Sequence, residues 1–316
     1  MTNPCLISVC IPTYKRIEFL KRLLDSLEIQ IFRDFEVIIT DDSPDEKINL
    51  LWEQHQYSAT LRYYRNDPKL GTPENWNEAV SKAKGTWIKI MHDDDWFADE
   101  HSLQHFADAV TYHPSGRFIF SAYQNVALET GETRDVFTNP FRFRMLQKNP
   151  VTLFSRNVIG PPSVVMYLRE EATLFDRRLK WVVDIDFYIR SLAAAKPVYI
   201  NKVLVKVGIG GEQVTRDCFL QRPIEIPENF ALLNKVGTGN LANILVYDGW
   251  WRLMRNLEIK KEDEIRESGY AGPIPAVIIS MIHWQRRMPI WLLKTGFLSK
   301  AAMTIHYILK YSKIGN

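Results

Sequence analysis

Cysteine is scarce in this chain, and so are the features that announce a secreted or membrane-spanning protein. Only Cys5, Cys10 and Cys218 occur in 316 residues. Three scattered thiols build neither a disulfide framework nor a zinc cluster, and a reducing compartment fits them. The opening MTNPCLISVCIPTYKR has no basic segment ahead of its apolar run, which argues against a secretory signal. The stretch from Ser268 to Gln285 lacks Lys, Arg, Asp and Glu. It is broken by Gly269, Gly272, Pro273 and Pro275, and its apolar part, Ala276 to Ile282, is too short to cross a bilayer. Charge of one sign is also lacking: 40 basic residues face 37 acidic ones, a net +3, so bulk charge does not point to nucleic acid. Low-complexity linkers and internal repeats are absent, which excludes a repeat array or a largely disordered chain.

What is present is an ordinary globular composition, 46% hydrophobic and 24% charged, and a regular alternation of elements. Leu6 to Ile11 reads as a buried strand, stopped by Pro12. Leu20, Leu23, Leu24 and Leu27 recur at helical spacing. Further strands are predicted at Glu36–Thr40, Leu61–Tyr64, Trp87–Met91 and Arg117–Tyr123, with helices at Pro73–Lys84 and Asp99–Tyr112 between them. In the helix from Pro73, proline occupies the first turn and Gly85 is expected to end it. A polar hairpin is expected around Thr130-Gly131, strands at Ser163–Leu168 and Pro197–Val207, and helices at Asp184–Ala195 and 240–260. Such alternation argues for a doubly wound, mostly parallel sheet, whose ligands sit beyond the carboxyl ends of the strands.

Two acidic clusters fall at strand ends, Asp41-Asp42 and Asp93-Asp94-Asp95, and are expected to share one crevice. Three consecutive aspartates repel one another unless solvent or a cation intervenes. Hard divalent ions bind such carboxylate oxygens and share them with substrate phosphates, so Mg2+ or Mn2+ under a diphosphate is the ligand expected. The alternative, an acidic turn capping the helix from Asp99, carries less weight. One carboxylate of Asp41-Asp42 can accept from a ribose hydroxyl or a base N–H, or it can close an Asx-turn. His92 reads as a satisfied structural histidine. His101 and His105 read as helix surface, and Trp250 and Trp251 as packing.

The succession ISVCIPTYKR, VIITDDS, GTPENWNEAVSKAKGTWIKIMHDDDW, IGPPSVVMYLRE and VVDIDFYIRSL resembles the inverting, nucleotide-sugar-dependent glycosyltransferases of family 2, over roughly residues 5 to 216. That resemblance implies an α/β GT-A fold, a Rossmann-like mostly parallel sheet flanked by helices. Residues 1–220 would form the catalytic domain (1–115 nucleotide-binding, 116–220 acceptor-side), and 221–316 a helical extension. It further implies that Pro12, Thr13 and Tyr14 line the base, that Asp42 contacts the base edge, and that Asn75 and Asn77 lie near the diphosphate or sugar. Asp93, Asp94 and Asp95 would form the DxD element, with Asp95 as metal ligand and Asp94 on ribose or metal. Asp184 would be the catalytic base, and Arg190 structural.

Two departures from the family pattern stand out. Val183 replaces the family's frequent Glu before Asp184, and Asp186 points elsewhere on a helix. The family's Arg-x-His element is missing, so Gln213, Thr215 or Arg216 would take its place on the donor. The function implied is transfer of a sugar, from a UDP-sugar in the simplest case, to a saccharide or lipid-linked acceptor in bacterial surface polysaccharide synthesis.

Two rivals are a sugar-phosphate nucleotidyltransferase and a non-catalytic, membrane-associated binding module. The first wants a glycine-rich loop after strand one, where this chain has IPTYKR. The second does not need Asp42, Asp95 and Asp184. After Glu267 no acidic residue occurs, while Arg286, Arg287, Lys294, Lys300, Lys310 and Lys313 are interleaved with Trp284, Trp291, Phe297 and Tyr307. That pattern suits an anionic membrane surface, and equally a packed helical pair with a solvated basic face. A cytoplasmic protein, peripheral on the inner face of the plasma membrane, is the expected setting.

Overall fold

A computed structural model describes residues 5–54, 60–171, 173–210 and 218–311. The chain forms two compact units. The first comprises Met1–Gln147, Val158–Arg178 and Asp186–Gln213, and the second Lys148–Asn157, Leu179–Ile185 and Val214–Asn316.

The first unit is built on one sheet. Its strands are β1 Ile7–Thr13, β2 Phe35–Asp41, β3 Thr60–Arg65, β4 Trp87–Ile90, β5 Trp96–Phe97, β6 Phe118–Ala127, β7 Thr133–Val136, β8 Val165–Leu168 and β9 Pro197–Ile209. They lie in the order β3-β2-β1-β4-β8-β6-β9-β5, with β7 on β6. The β3-β2-β1-β4 half is parallel. β8 then runs antiparallel to both β4 and β6, and the parallel sense returns between β6 and β9. β1 and β2 are buried along their whole length, as strands covered on both faces must be, which explains their unbroken apolar reading.

Helices α1 Ile17–Glu28, α2 Lys47–Gln54, α3 Glu74–Lys82 and α4 Ser102–Tyr112 link the first strands. α1 buries Leu20, Leu23, Leu24 and Leu27, the stripe seen in the sequence. The helix expected over Pro73–Lys84 is shorter, and Ala83 rather than Gly85 ends it. Gly85 is required for a different reason: a Cβ there would lie 2.7 Å from the Ser8 N and Oγ. Its N–H donates to Ser8 Oγ at 2.8 Å, and the Ser8 hydroxyl donates to Glu36 at 2.6 Å. Glu36 also accepts from the Lys84 N–H at 2.6 Å and pairs with Arg62 at 2.5 Å. Burial would raise the Glu36 carboxyl. The Ser8 hydroxyl, the Lys84 N–H and the Arg62 charge outweigh it and hold the group below its ordinary value. This cluster ties β1, β2, β3 and the approach to β4 at the amino ends of the strands. The hairpin around Thr130-Gly131 forms as β6–β7, with Gly131 at φ +74.

Helix α5, Pro140–Lys148, precedes the second unit's first segment, and α6, Val183–Ser191, begins in that unit. The rest of the second unit is helical: α7 Arg222–Val236, α8 Ile244–Asn256, α9 Glu262–Glu267, α10 Ala276–Arg286, α11 Ile290–Lys294 and α12 Gly296–Tyr311. Phe230, Tyr247, Trp250, Trp251, Met281 and Met303 fill its core. Trp250 and Trp251 are each 1% exposed, so they are packing residues, as expected. Among the described residues, no helix is long and apolar enough to cross a membrane.

Candidate active site

The first unit's site grows from the carboxyl ends of β1, β2 and β4. β1 lies between the other two, with Thr13 in register with Asp41 and Cys10 with Ile90. The two acidic clusters therefore flank the end of one strand, and Thr13 joins them. Its carbonyl accepts the Asp42 N–H at 3.1 Å, while its hydroxyl donates to Asp93 Oδ2 at 2.9 Å.

Each aspartate has a distinct setting. Asp41 accepts the Ser43 N–H at 2.7 Å and the Tyr63 hydroxyl at 2.8 Å, so it holds the turn. Asp42 accepts the Leu70 N–H at 3.0 Å, the Gly71 N–H at 2.7 Å and the Asn66 side chain at 2.8 Å. In this conformation its carboxylate organises the loop before α3. Asp93 takes Thr13, the Tyr14 N–H at 3.3 Å and Arg16 at 3.3 Å; Asp94 takes Arg16 at 3.0 Å. Asp95 accepts the Gly208 N–H at 3.1 Å and bonds the Ser163 hydroxyl.

All three aspartates of the triplet are buried. Burial, reinforced by the charge of Asp94, pushes Asp93 up to about 6 and holds Asp95 well above the ordinary carboxylate range. Two carboxylates about 4 Å apart repel by roughly 4 kcal/mol at an effective dielectric of 20. Arg16 pairs with Asp93 and Asp94, the Arg22 guanidinium lies near Asp94 and Asp95, and the buried Lys89 amine acts on Asp95, yet Asp93 and Asp95 stay raised. His92 adds a second sign of an unfinished site. Its ring lies tilted against Trp76 at 4.7 Å, and its buried Nε2 has no partner among the described residues. This corrects the expectation of a satisfied structural histidine. Burial lowers its pKa to about 4, so the ring is neutral and able to ligate. One donor atom each from His92, Asp94 and Asp95 lies within 4.8 Å of the others. Two hard oxygens and one imidazole nitrogen in a buried carboxylate cluster fit a divalent cation such as Mn2+ or Mg2+.

The remaining expected donor residues divide. Tyr14 is 42% exposed, and the Lys15 and Lys69 amines lie over its ring at 4.9 and 5.7 Å. Pro12 is buried inside β1. Asn75 is 5% exposed and is tied to the Thr13 carbonyl and to Asn66. Asn77 uses both ends of its amide on the Phe175 backbone, at 2.8 and 2.9 Å. In this conformation both asparagines brace the site's walls. Gln213, Thr215 and Arg216 lie outside the described residues.

Asp184 belongs to the second unit. It stands in the first turn of α6, accepting its neighbour Ile185 N–H at 2.8 Å and the Asn157 side chain at 2.9 Å. Burial nevertheless pushes its carboxyl up to about 6. The loop before it hangs on Glu228, which accepts the N–H groups of Lys180, Trp181 and Val182 at 2.9, 2.8 and 3.1 Å. Asp186, fully buried in the first unit, is spent on Arg190 at 2.8 Å, and Arg190 also donates to the Leu174 carbonyl. Asp186 is thus unavailable as a base, and Arg190 is structural.

Sequence reasoning missed Arg16, Ser163, Gly208 and Glu228. Gly208 had a signal in the run Val207-Gly-Ile-Gly-Gly: a Cβ there would lie 2.4 Å from the Asp94 carbonyl. Arg16 stood inside the quoted IPTYKR, but nothing in its spacing paired it with residues 77 and 78 positions away.

Comparison with known proteins agrees with this architecture. Residues 8–168 match the model of Glycosyl transferase family 2. A putative colanic acid biosynthesis glycosyl transferase, WcaA of Escherichia coli K12, is 30% identical over 202 residues, which is 60% of this chain and 67% of that protein. Among solved structures, S. aureus TarS 1–349 superposes with a TM-score of 0.61 at 17% identity, covering 98% of this chain and 92% of that one. The same TarS segment with UDP-GlcNAc gives 0.58 at 14% identity, covering 97% and 92%. The mannosyltransferase PcManGT of Pyrobaculum calidifontis, with GDP-Man and Mn2+, gives 0.54 at 14% identity, covering 100% and 89%. These likenesses establish a GT-A fold, and with a family match spanning half its length the chain belongs to glycosyl transferase family 2.

Proposed function

We propose that this glycosyltransferase moves a sugar from a nucleoside diphosphate sugar, UDP-linked in the simplest case, to an acceptor hydroxyl with inversion at the anomeric carbon, in the building of a bacterial surface polysaccharide. The observation that carries the reading is the buried carboxylate cluster at the end of β4. Asp93, Asp94 and Asp95 are buried side by side, and an imidazole nitrogen without a partner among the described residues stands within ligating range of Asp94 and Asp95. Asp95, with Asp94 and His92, would hold a divalent cation, and Asp93 anchors the end of β1 through Thr13 and Tyr14. Bound there, Mn2+ or Mg2+ supplies Lewis-acid stabilisation of the diphosphate leaving group.

The chain's own groups do the rest. The exposed Tyr14 ring stacks the base, and Asp42 holds the adjoining loop in shape. A sugar hydroxyl is a poor nucleophile at neutral pH, so a positioned carboxylate must take its proton as the new bond forms. Asp184 takes that role. Asn157 and the Ile185 N–H hold one oxygen each, which leaves lone pairs on both for the incoming proton. A single base and a single displacement invert the centre. A relative named for colanic acid biosynthesis and a neighbour solved with UDP-GlcNAc support the donor and pathway class. The test is a screen for UDP release over a panel of nucleotide sugars, with and without EDTA, followed by NMR of the product. An α-linked donor should give a β-linked product, and release should stop with EDTA. Retention at the anomeric carbon overturns the mechanism.

A further inference from the structure

The second unit ends in a helix that is apolar on two sides. α12 buries Ser299, Ala302, Met303 and His306. That face is spoken for: Trp251 donates to the Ser299 hydroxyl, and His306 sits between the Tyr247 and Ser280 hydroxyls. The opposite face should then be polar, as on any helix that meets water on one side. It is not. Phe297 is 82% exposed, Ile305 55% and Ile308 53%, and Ala301 is exposed as well. Positions 297, 301, 305 and 308 fall at helical spacing on one stripe. In the preceding α11, Trp291 is 62% exposed and Ile290 52%.

The charges carried by the segment itself have one sign. Arg286, Arg287, Lys294, Lys300 and Lys310 are all exposed, and no Asp or Glu follows Glu267 in the whole chain. An exposed hydrophobic stripe in a segment whose charged residues are all cationic, with a tryptophan near its start, matches the boundary layer of an anionic leaflet. A protein partner would need a matching groove and its own acidic rim, whereas a bilayer supplies both an apolar layer and a diffuse negative charge. Among the described residues no helix is long and apolar enough to cross a membrane.

We infer that α11 and α12 form a docking surface for an anionic phospholipid bilayer, with Trp291, Phe297, Ile305 and Ile308 in the acyl boundary and Lys294, Lys300 and Lys310 at the head groups. The inference stands apart from the transfer reaction proposed above. The full chain should co-sediment with vesicles of phosphatidylcholine carrying roughly 30 mol% phosphatidylglycerol, and lose most of that binding on pure phosphatidylcholine or in about 0.5 M salt. Phe297→Glu with Ile308→Glu should weaken partitioning at least tenfold with an unchanged melting temperature. Ile305→Glu provides a second, independent breach of the stripe. Lys294→Gln and Lys300→Gln should each cost about fivefold on anionic vesicles alone. Equal binding by the parent and the double variant overturns the inference. So does an absence of vesicle binding together with a dimer that Phe297→Glu dissociates, which would make the stripe a contact between copies of this chain.

Discussion

Asp184 is where acid–base chemistry and burial meet. Its carboxyl is raised to about 6 by burial, and a general base works only without its proton. Activity per enzyme should therefore fall about tenfold per pH unit below pH 6 and level off above it. Asp184→Asn should remove that limb and cost roughly 10^2–10^4-fold in rate. The stability sign is opposite. A folded carboxyl raised above its unfolded value keeps its proton longer when folded, so its contribution weakens as pH rises from about 4 to about 6. Asparagine should leave the melting temperature at neutral pH unchanged or higher. A rate loss accompanied by a lower melting temperature would instead mark a folding defect and remove Asp184 from the chemistry.

At the scale of elements, α7 holds the loop that leads to Asp184, the proposed base. Glu228 gathers three successive N–H groups of the 180–182 loop, and that loop leads directly into α6. Three donors on one buried acceptor are worth several times a single net hydrogen bond of about 1 kcal/mol. Glu228→Ala should lower kcat at least tenfold while leaving KM for the donor near its parent value, because the proposed donor-binding residues sit on β1 and after β4. Glu228→Gln, which keeps acceptor capacity at one oxygen only, should fall between. A change confined to KM would place Glu228 elsewhere in the cycle.

The same scale shows what could be read beforehand. β1, β2, β4 and α1 were legible because fully covered strands and one-sided helices leave continuous or periodic apolar runs. The acidic clusters were legible because both follow such strands at once. α2 and α7 were not: α7 carries Pro227 inside it and its buried residues follow no clean stripe, including Glu225 and Glu228. The antiparallel entry of β8 between β4 and β6 escaped as well, because register and neighbour choice are set by tertiary packing rather than local spacing. His92 was misread because a lone histidine carries no mark in sequence of whether a partner exists in space.

Across the whole molecule, charge is unevenly spent. The protein is nearly neutral, yet the first unit buries a knot of aspartates and the tail carries cations alone. A ligand that meets the first of these imbalances stabilises the fold by mass action. Mn2+ at about ten times its dissociation constant should add roughly 1.4 kcal/mol, near 3 °C in melting temperature for a protein of this size. EDTA should reverse the shift and Asp95→Ala abolish it. A shift that survives Asp95→Ala would put the cation at another site.

The tie at the amino ends of the strands has a consequence of its own. Glu36 is held below its ordinary value, so its share of stability is present above about 4.5 and fades only as acid reaches its depressed folded value. Asp184 loses its charge earlier, near 6. Between these two thresholds lies a band of mild acidity in which the Glu36 tie keeps its charge while the proposed base takes up its proton. Returning to neutrality there should restore turnover at once, with no renaturation lag.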